Sequence, residues 1–575
     1  MIGLHAIDVA VIILYLLGVT ALGIWVGRRV KGDSDFFMPR RFGKAMMMMH
    51  AFGTGTASDQ AVVVAAGTFR NGLSGIWFQW LWLFNTPFYW LIAPIFRRLR
   101  AITTADVYRL RFGPSVSVLF AVVGVIGLAV KIGLMLKGAG ALIDAGTGGA
   151  VSSSLAIPVV AVLFVVYGAA GGMGAAIITD YIQGILTVIF SLILLPSVLN
   201  AVGGLGGIRE TLNDPRMMSL VAPEGINVFF VAMFAMLSLV GIVAQPFIMS
   251  VCAAGRTEMD GRFGFVGGNL IKRICTAAWA VTGIGALAWF MQQGTNLADV
   301  NPDRVYGQMA HNFLPAIAPG MLGLFVAALL AGVMSSCDSF MISSAALFTE
   351  NLYKPLAPGR SARHYINVGR VVSLLVVICG VLVAFKMANV VSGLKTWLKI
   401  APMLGLSFWL GLIWRRFNAV GAWASTLTGF ACWWITTQTW FIKAVANFPF
   451  AESWGLMKVA NGAAQIYDPW QIIMYLSAAV IAGIIASLIT ARPPREDIER
   501  FHNLIRTPIA ADEVITRSCH LSEGVKPADR ANWFDGTDFE IPAPSRVSVI
   551  GFVLCWLAVG LMIGAFKWLI GGSGI

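Results

Sequence analysis

Long apolar runs recur along the whole chain and are separated by short polar stretches. A membrane-crossing helix needs about 20 predominantly apolar residues. The pattern therefore predicts an all-α polytopic membrane protein with about 14 transmembrane helices. The candidate spans are 5–28, 44–68, 73–99, 115–143, 155–171, 174–202, 228–254, 264–291, 314–350, 366–387, 390–415, 418–443, 470–491 and 546–571.

The second span is interrupted in its middle by Ala51–Gln60, AFGTGTASDQ, which holds glycines and polar residues. Irregular backbone at membrane depth survives only where it is buried in protein or lines a cavity. The stretch predicts a broken helix whose free carbonyls can bind a small cation. A helix-packing face of small residues is the alternative interpretation.

A second interruption follows five spans later, at Gln245-Pro246 within Leu239–Ala254, where proline removes a helix hydrogen bond. Transporters built from inverted repeats place their sites where one discontinuous helix from each half meets. The spacing predicts two such repeats of five helices. The predicted units are a leading helix (1–30), repeat one (44–202), repeat two (228–415), additional helices (418–491), a polar loop (493–544) and a last helix (546–571).

A serine-rich helix is predicted within 327–356 and is expected to face the first break. Its small and hydroxylated residues recur at helical spacing, with one carboxylate among them. Hydroxyls in membrane helices also commonly form hydrogen bonds between packed helices. A carboxylate at membrane depth, however, costs free energy and indicates function. The residues concerned are Gly332, Ser335, Ser336, Asp338, Ser339 and Ser343.

Basic residues alternate between the loops, which fixes the predicted orientation. By the positive-inside rule the basic loops are cytoplasmic, so fourteen spans place both termini outside. The polar loop 493–544 then lies on the cytoplasmic side, with a docking helix predicted near Arg495–Arg506. The basic residues of the first loop are Arg28, Arg29, Lys31, Arg40, Arg41 and Lys44.

Composition supports a membrane protein and excludes other classes. Only 12% of the 575 residues are charged, against about 25% in soluble proteins. The net charge of +13 follows from the basic loops and does not indicate nucleic-acid binding. The seven cysteines lack metal-ligand or disulfide spacing. With neither a nucleophile elbow nor a phosphate loop, no enzyme and no organic cofactor is predicted. Asp8 precedes the first basic residues, the reverse of a cleavable signal peptide.

Four motifs resemble the sodium:solute symporter family. Asp35–Phe37 with the following RRFG resembles the family's DFFLAGRSLG, and residues 101–113, AITTADVYRLRFG, resemble its TLPEFLEKRFG. IITDYIQ at 177–183 resembles its TDVIQ. MSSCDS followed by LFTENLYKPL resembles its MSS-DS and FT-DIYK, which is the most specific match.

The resemblance implies an inverted five-plus-five (LeuT-like) repeat with a leading helix and extra C-terminal helices. It also implies a sodium site made of three backbone carbonyls and two adjacent hydroxyls. A gap-free alignment places these on Gly53, Thr56, Gly332, Ser335 and Ser336. A four-residue shift would move the first two to Ala57 and Gln60.

Some family members hold a second sodium ion. The matching positions here are Asp180 and Ser339, with Asp338 in place of a further hydroxyl. These three residues are candidates for a second cation or for coupling. Asp180 could instead be a structural or proton-linked carboxylate.

Polar positions on the broken helices and the next span are candidates for the solute. The resemblance to sugar transporters points to Gln60 and Gln79, with Gln245 beside the third matching position. Asp59 either faces the pocket or pairs with a nearby basic residue. The aromatic residues of the third span either line the pocket or form a membrane-interface belt, and Lys272 and Arg273 are expected to snorkel to the cytoplasmic interface. Those aromatic residues are Trp77, Trp80, Trp82, Phe84 and Tyr89.

The predicted function is secondary active transport, with sodium-coupled symport of a small polar organic solute. The alternatives are a non-transporting solute or sodium sensor of the same fold and a proton-coupled symporter. The expected partners are the solute and the lipid bilayer of the plasma (inner) membrane, while nucleic acid is not expected. The oligomeric state stays open.

Overall fold

The computed structural model describes residues 4–27, 40–56, 58–168, 172–222, 225–460, 463–510, 513–515 and 517–571. This part of the chain is mostly helical. Arg28, Arg29, Lys31, the motif Asp35–Phe37 and Ala57 lie outside the described residues. So does part of the predicted connection between spans five and six.

The elements follow the predicted order of spans closely. They are α1 (Ala6–Gly27), α2 (Lys44–Thr54), α3 (Ser58–Asn71), α4 (Trp77–Trp80), α5 (Thr86–Arg98), α6 (Thr104–Phe112), α7 (Pro114–Gly146), α8 (Ser153–Gly168), α9 (Gly172–Val202), α10 (Gly204–Leu212), α11 (Val228–Ile242), α12 (Ile248–Ala253), α13 (Glu258–Gln292), α14 (Val305–Phe313), α15 (Met321–Phe348), α16 (Lys354–Leu356), α17 (Ala362–Lys386), α18 (Val390–Ile413), α19 (Ala419–Ile435), α20 (Thr439–Ala446), an antiparallel hairpin of β1 (Met457–Ala460) and β2 (Ala463–Ile466), α21 (Asp468–Ile489), α22 (Arg495–Arg506) and α23 (Arg546–Gly571).

Among the described residues, eight helices are long and apolar enough to cross a membrane. Three further apolar helices are shorter, and several predicted spans consist of two or more helical pieces, which individually fall below that length. The polytopic, mostly α-helical architecture predicted from the apolar runs is confirmed, and fourteen spans fit this arrangement.

Both predicted breaks are present. The first broken helix consists of α2 and α3, which are separated at Gly55 and Thr56. The second consists of α11 and α12, and the backbone between them carries Gln245 and Pro246. Glycine disfavours a continued helix through its backbone freedom, and proline through its missing N–H.

The two broken helices meet in space. The backbone N–H of Phe42 donates to Ala254 O at 3.4 Å, and Arg256 N–H donates to Phe42 O at 2.9 Å. This backbone pairing joins the start of α2 to the end of α12. Around it, α2 packs against α9 and α13, while α15 packs against α1, α7, α9 and α17.

The docking segment, residues 493–544, is anchored to the helical core. Its helix α22 was predicted, and the structure confirms it. The apolar side chains of Phe501, Leu504 and Ile505 are buried, and α22 packs against α5 and α6. Burial of an apolar face fixes the segment despite its largely polar sequence.

Candidate functional site

The break in the first helix brings backbone oxygens close to the serine-rich helix α15. Ser336 Oγ donates a hydrogen bond to the carbonyl oxygen of Gly53 at 2.8 Å. A Cβ built on Gly332 would lie 3.5 Å from the carbonyl oxygen of Thr56. The residues of the predicted sodium set on α2, in the break and on α15 are therefore neighbours in space.

A buried carboxylate from α9 joins this cluster. Ser335 Oγ donates to Asp180 Oδ1, and a Cβ on Gly53 would lie 3.1 Å from the Asp180 side chain. Asp180 and Ser336 are fully buried, and Ser335 is 2% exposed. Asp180 thus belongs to the same cluster as the five predicted sodium residues, which we call the oxygen cluster.

Two polar residues of α2 that the sequence analysis did not assign to this site also contact Asp180. His50 Nδ1 lies 2.8 Å from Asp180 Oδ2, and Thr54 Oγ1 donates to the same oxygen at 3.4 Å. His50 and Thr54 are four residues apart, so they share one helix face. That spacing was the available signal, since it aims both side chains at the same neighbour.

Asp338 and Ser339, the other two residues predicted for a second cation, follow Ser336 along α15. Asp338 and Ser339 are buried, and Asp338 Oδ1 and Ser339 Oγ have no hydrogen-bond partner among the described residues. Within the described part of the chain, neither Asp338 nor Ser339 forms a hydrogen bond with Asp180. The side-chain amide of Gln183, one turn along α9 from Asp180, is buried without a partner as well.

A cavity is bordered by both broken helices. Gln60, Gln79 and Gln245 line it, as predicted for solute contacts. Gly55 lines it from the first break, and Phe247 lines it at the start of α12. We call this space the central cavity.

Asp59 does not line the central cavity. Its carboxylate accepts a hydrogen bond from Lys131 Nζ at 2.8 Å, and both side chains are buried. Of the two alternatives for Asp59, the structure favours pairing with a basic residue. Lys131 itself lines the cavity and lies 4.8 Å from the ring centre of Trp397.

The expectation that Lys272 and Arg273 snorkel to an interface is wrong. Both side chains are buried, with 8% and 2% of their surface exposed, and both line the central cavity. Helix α13 starts at Glu258, because Thr257 and Asp260 form a capping box. Lys272 is therefore about 21 Å along the helix axis from its start.

Of the five aromatic residues named for the third span, four are buried in protein and Phe84 is half-buried, so they do not form an exposed belt. Trp77, Trp80, Trp82 and Tyr89 are each less than 9% exposed. Trp82 and Tyr89 line the central cavity. Trp77 and Trp80 instead use their indole N–H groups on backbone carbonyls, which is the usual way to satisfy buried tryptophan.

Two broken helices around a polar cavity at the centre of a helical membrane protein are the arrangement of secondary transporters. Similarity to known families and structures agrees with this. The model of the sodium:solute symporter family matches residues 36–429. The match covers more than half of the chain, so this protein belongs to the sodium:solute symporter family and is a symporter, not an enzyme.

Individual relatives support the same assignment. The sodium/pantothenate symporter of Haemophilus influenzae is 25% identical over 74% of this chain and 90% of its own length. The high-affinity proline transporter PutP of Bacillus subtilis is 24% identical over 84% of this chain and 98% of its own. The structure of a Na+-coupled sialic acid symporter superposes with a TM-score of 0.68 at 17% identity, covering 85% of this chain and 98% of that one.

Proposed function

We propose that the protein carries a small polar organic solute across the membrane together with a sodium ion that binds at the oxygen cluster. The carbonyl oxygens of Gly53, Thr56 and Gly332 and the hydroxyls of Ser335 and Ser336 would be its ligands. The observation that carries this proposal is the 2.8 Å contact between Ser336 Oγ and Gly53 O. It brings a hydroxyl of α15 directly against a carbonyl at the end of α2, which also accepts a hydrogen bond from Thr56 N–H at 3.1 Å.

The donor set fits a hard monovalent cation. All five groups are oxygen donors, the class of ligand that hard cations prefer. The neighbouring carboxylate of Asp180 adds a negative charge at a buried position. That charge is unfavourable in isolation, and a bound cation would compensate it.

The break between α2 and α3 would couple sodium binding to solute binding, because both sites use its backbone. Gly53 and Thr56 belong to the oxygen cluster, and Gly55 between them borders the central cavity. An ion that fixes the backbone of this short stretch would also fix the cavity wall that contacts the solute. Inward movement of one positive charge through 100 mV contributes about 2.3 kcal/mol to transport.

The inverted repeats and the topology complete the proposal. Residues 44–202 and 228–415 would form the two repeats, which rock against each other to expose the cavity alternately to either side. The basic loops favour a plasma (inner) membrane location with both termini outside. Membership in a family of symporters favours transport over the sensor alternative.

Proton coupling is the second candidate, and one contact favours it. His50 and Asp180 form a buried titratable pair 2.8 Å apart, and Asp180 bonds to Ser335 of the oxygen cluster. A proton on this pair could take the role of the ion. Asp338 and Ser339, with their unpartnered oxygens, are the remaining candidates for a second cation.

Ser336→Ala tests the sodium proposal. We expect sodium to raise the melting temperature of the purified protein relative to potassium, and the variant to lose this shift and sodium-driven uptake into proteoliposomes. Ser344→Ala is the matched control, because the Ser344 hydroxyl bonds to Phe340 O of its own helix at 2.8 Å. Equal sodium stabilisation in Ser336→Ala would contradict the proposal, and uptake driven by a pH gradient without sodium would support the proton candidate.

A further inference from the structure

Three buried cationic side chains converge on the central cavity. Lys131 comes from α7, while Lys272 and Arg273 come from α13. No acidic side chain of the described residues lines the cavity. The nearest counter-charge is Asp59, which already bonds to Lys131 at 2.8 Å.

Lys131 and Arg273 both have partners within the protein, although Arg273 Nε has no hydrogen-bond partner among the described residues. Lys131 has Asp59 and the face of Trp397. Arg273 donates through Nη1 to the backbone and side-chain oxygens of Gln79, and its guanidinium lies 5.5 Å from the ring centre of Trp82. Neither partner of Arg273 is charged, so its positive charge is not neutralised.

The ammonium group of Lys272 is different. It has no ion pair and no hydrogen bond to any described residue, although its side chain is only 8% exposed. The charged groups that act on it are Arg273 and Lys131, which repel it, and Asp59, which attracts it. A buried amine without a counter-charge either loses its proton or costs free energy as an ammonium, so a bound anion would stabilise the charged form.

The ammonium group of Lys272 lies at the break between α2 and α3. A Cβ on Gly55 would collide with Lys272 Nζ, so the ammonium lies directly against the backbone between α2 and α3. Carbonyl groups at the end of α2 offer it partial negative charge, but a full negative charge is missing. Gln60, Gln79 and Gln245 could bind the uncharged polar part of a solute.

We propose that the solute is a small organic anion whose carboxylate binds Lys272 in the central cavity, with Arg273 supplying a second positive charge. This inference rests on the proposed function, because it assigns the solute class of that same cavity. Three cations against one carboxylate make the cavity unfavourable for cationic solutes and favour a negative charge.

The test is thermal stabilisation of the purified full-length protein by matched pairs of probes. Propionate, lactate, succinate and pantothenate are each compared with the uncharged amide or alcohol of the same skeleton, in sodium and in potassium. We expect at least one acid to raise the melting temperature in sodium and its uncharged partner to have no effect. The proposal is overturned if no acid stabilises the protein or if an uncharged partner stabilises it equally.

Substitutions at Lys272 test whether this residue binds the stabilising acid. Lys272→Met should weaken binding of the stabilising acid by at least about thirtyfold, as expected when one partner of a buried charge pair is removed. Lys272→Arg should retain the preference for the acid over its uncharged partner. Lys443→Met changes an exposed lysine on α20 and should have no effect. Unchanged acid affinity in Lys272→Met would overturn the assignment, and the wild-type comparison of acid with amide decides the solute class even if that variant does not fold.

The outcomes separate this inference from the proposed symport. Sodium-dependent stabilisation by uncharged myo-inositol or zwitterionic proline, with none by the acids, would leave symport intact and overturn the anion. Stabilisation by an acid that is equal in sodium and potassium would support the anion and contradict the sodium site.

Discussion

Two regions of this molecule that contain buried cations differ in what surrounds those cations. In the central cavity, Lys131, Lys272 and Arg273 have a single carboxylate among them, Asp59. Where the docking segment meets the helical core, four buried or half-buried arginines have a carboxylate partner, whereas buried Arg111 donates to backbone carbonyl oxygens. The pairs there are Arg98 with Glu258, Arg100 with Glu513, Arg415 with Glu540 and Arg506 with Glu540.

This difference distinguishes cations that stabilise the fold from cations that are available to bind a ligand. A paired arginine such as Arg100, whose Nε lies 2.6 Å from Glu513 Oε1, uses its charge to hold two parts of the chain together. An unpaired buried cation such as Lys272 does not stabilise the fold by itself. Its burial is explained if another molecule supplies the opposite charge, and its place on the wall of a cavity gives such a molecule access.

The largest effect is expected from removing the one carboxylate of the cavity region. Asp59→Asn leaves Lys131 buried without a charged partner, and breaking a buried pair in this way destabilises by about 3 to 5 kcal/mol. The measurement is the free energy of unfolding, or the melting temperature, of the purified protein in detergent.

The double variant Asp59→Asn with Lys131→Met is the control for Asp59→Asn. It removes both charges of the pair and should recover most of the lost stability, because Lys131 is no longer present as a buried charge without its partner. If the single variant is as stable as the wild type, or if the double variant is no better than the single, Lys131 does not depend on Asp59 and the contrast between the two regions fails.

Lowering the pH is expected to have a smaller effect, which is to weaken the docking of segment 493–544 to the helical core. Burial lowers the pKa of His502 below its usual 6.5. Burial alone would raise the pKa of Glu513, but hydrogen bonds from Arg100 and Ser522 outweigh it and lower that pKa below 4.5. Both groups bind protons more readily when the segment is released, so docking is stable above pH 6.5 and weakens as the pH falls below it.

Limited proteolysis of the docking segment measures this weakening. We expect cleavage within 493–544 to increase several-fold between pH about 7 and about 4.5, using a protease whose own pH dependence is calibrated on an unfolded peptide. His502→Gln should remove the part of the increase that occurs nearest pH 6.5. A cleavage rate that stays flat with pH would show that these ionised groups do not hold the segment.

Much of the fold was predictable because single residues carry strong local signals. The glycines near Gly53 and the proline at Pro246 predicted both breaks, and the polar loop predicted α22. The short helical pieces of the third span, α4 and α5, were not separated by the sequence analysis. Their apolar sequence looks continuous, and the irregular turns between them depend on tertiary packing.

The candidate site was predictable only where a motif carried it. The serine motif placed Ser335 and Ser336 beside the first break, and the structure brings them together there. Lys272 was misplaced because the start of α13 was predicted several residues too late, which moved a central lysine toward the end of the span. The partner of His50 could not be found from sequence, since Asp180 is 130 residues away.

The most direct test of the account is the reciprocity of sodium and solute binding. Both sites use the break between α2 and α3, so the solute that stabilises the protein should raise the affinity for sodium by the same factor by which sodium raises the affinity for the solute. Titrating each in the presence and absence of the other, with melting temperature as the readout, gives both factors. Equal factors greater than one are predicted, and sodium and solute affinities that are independent of each other would contradict the account.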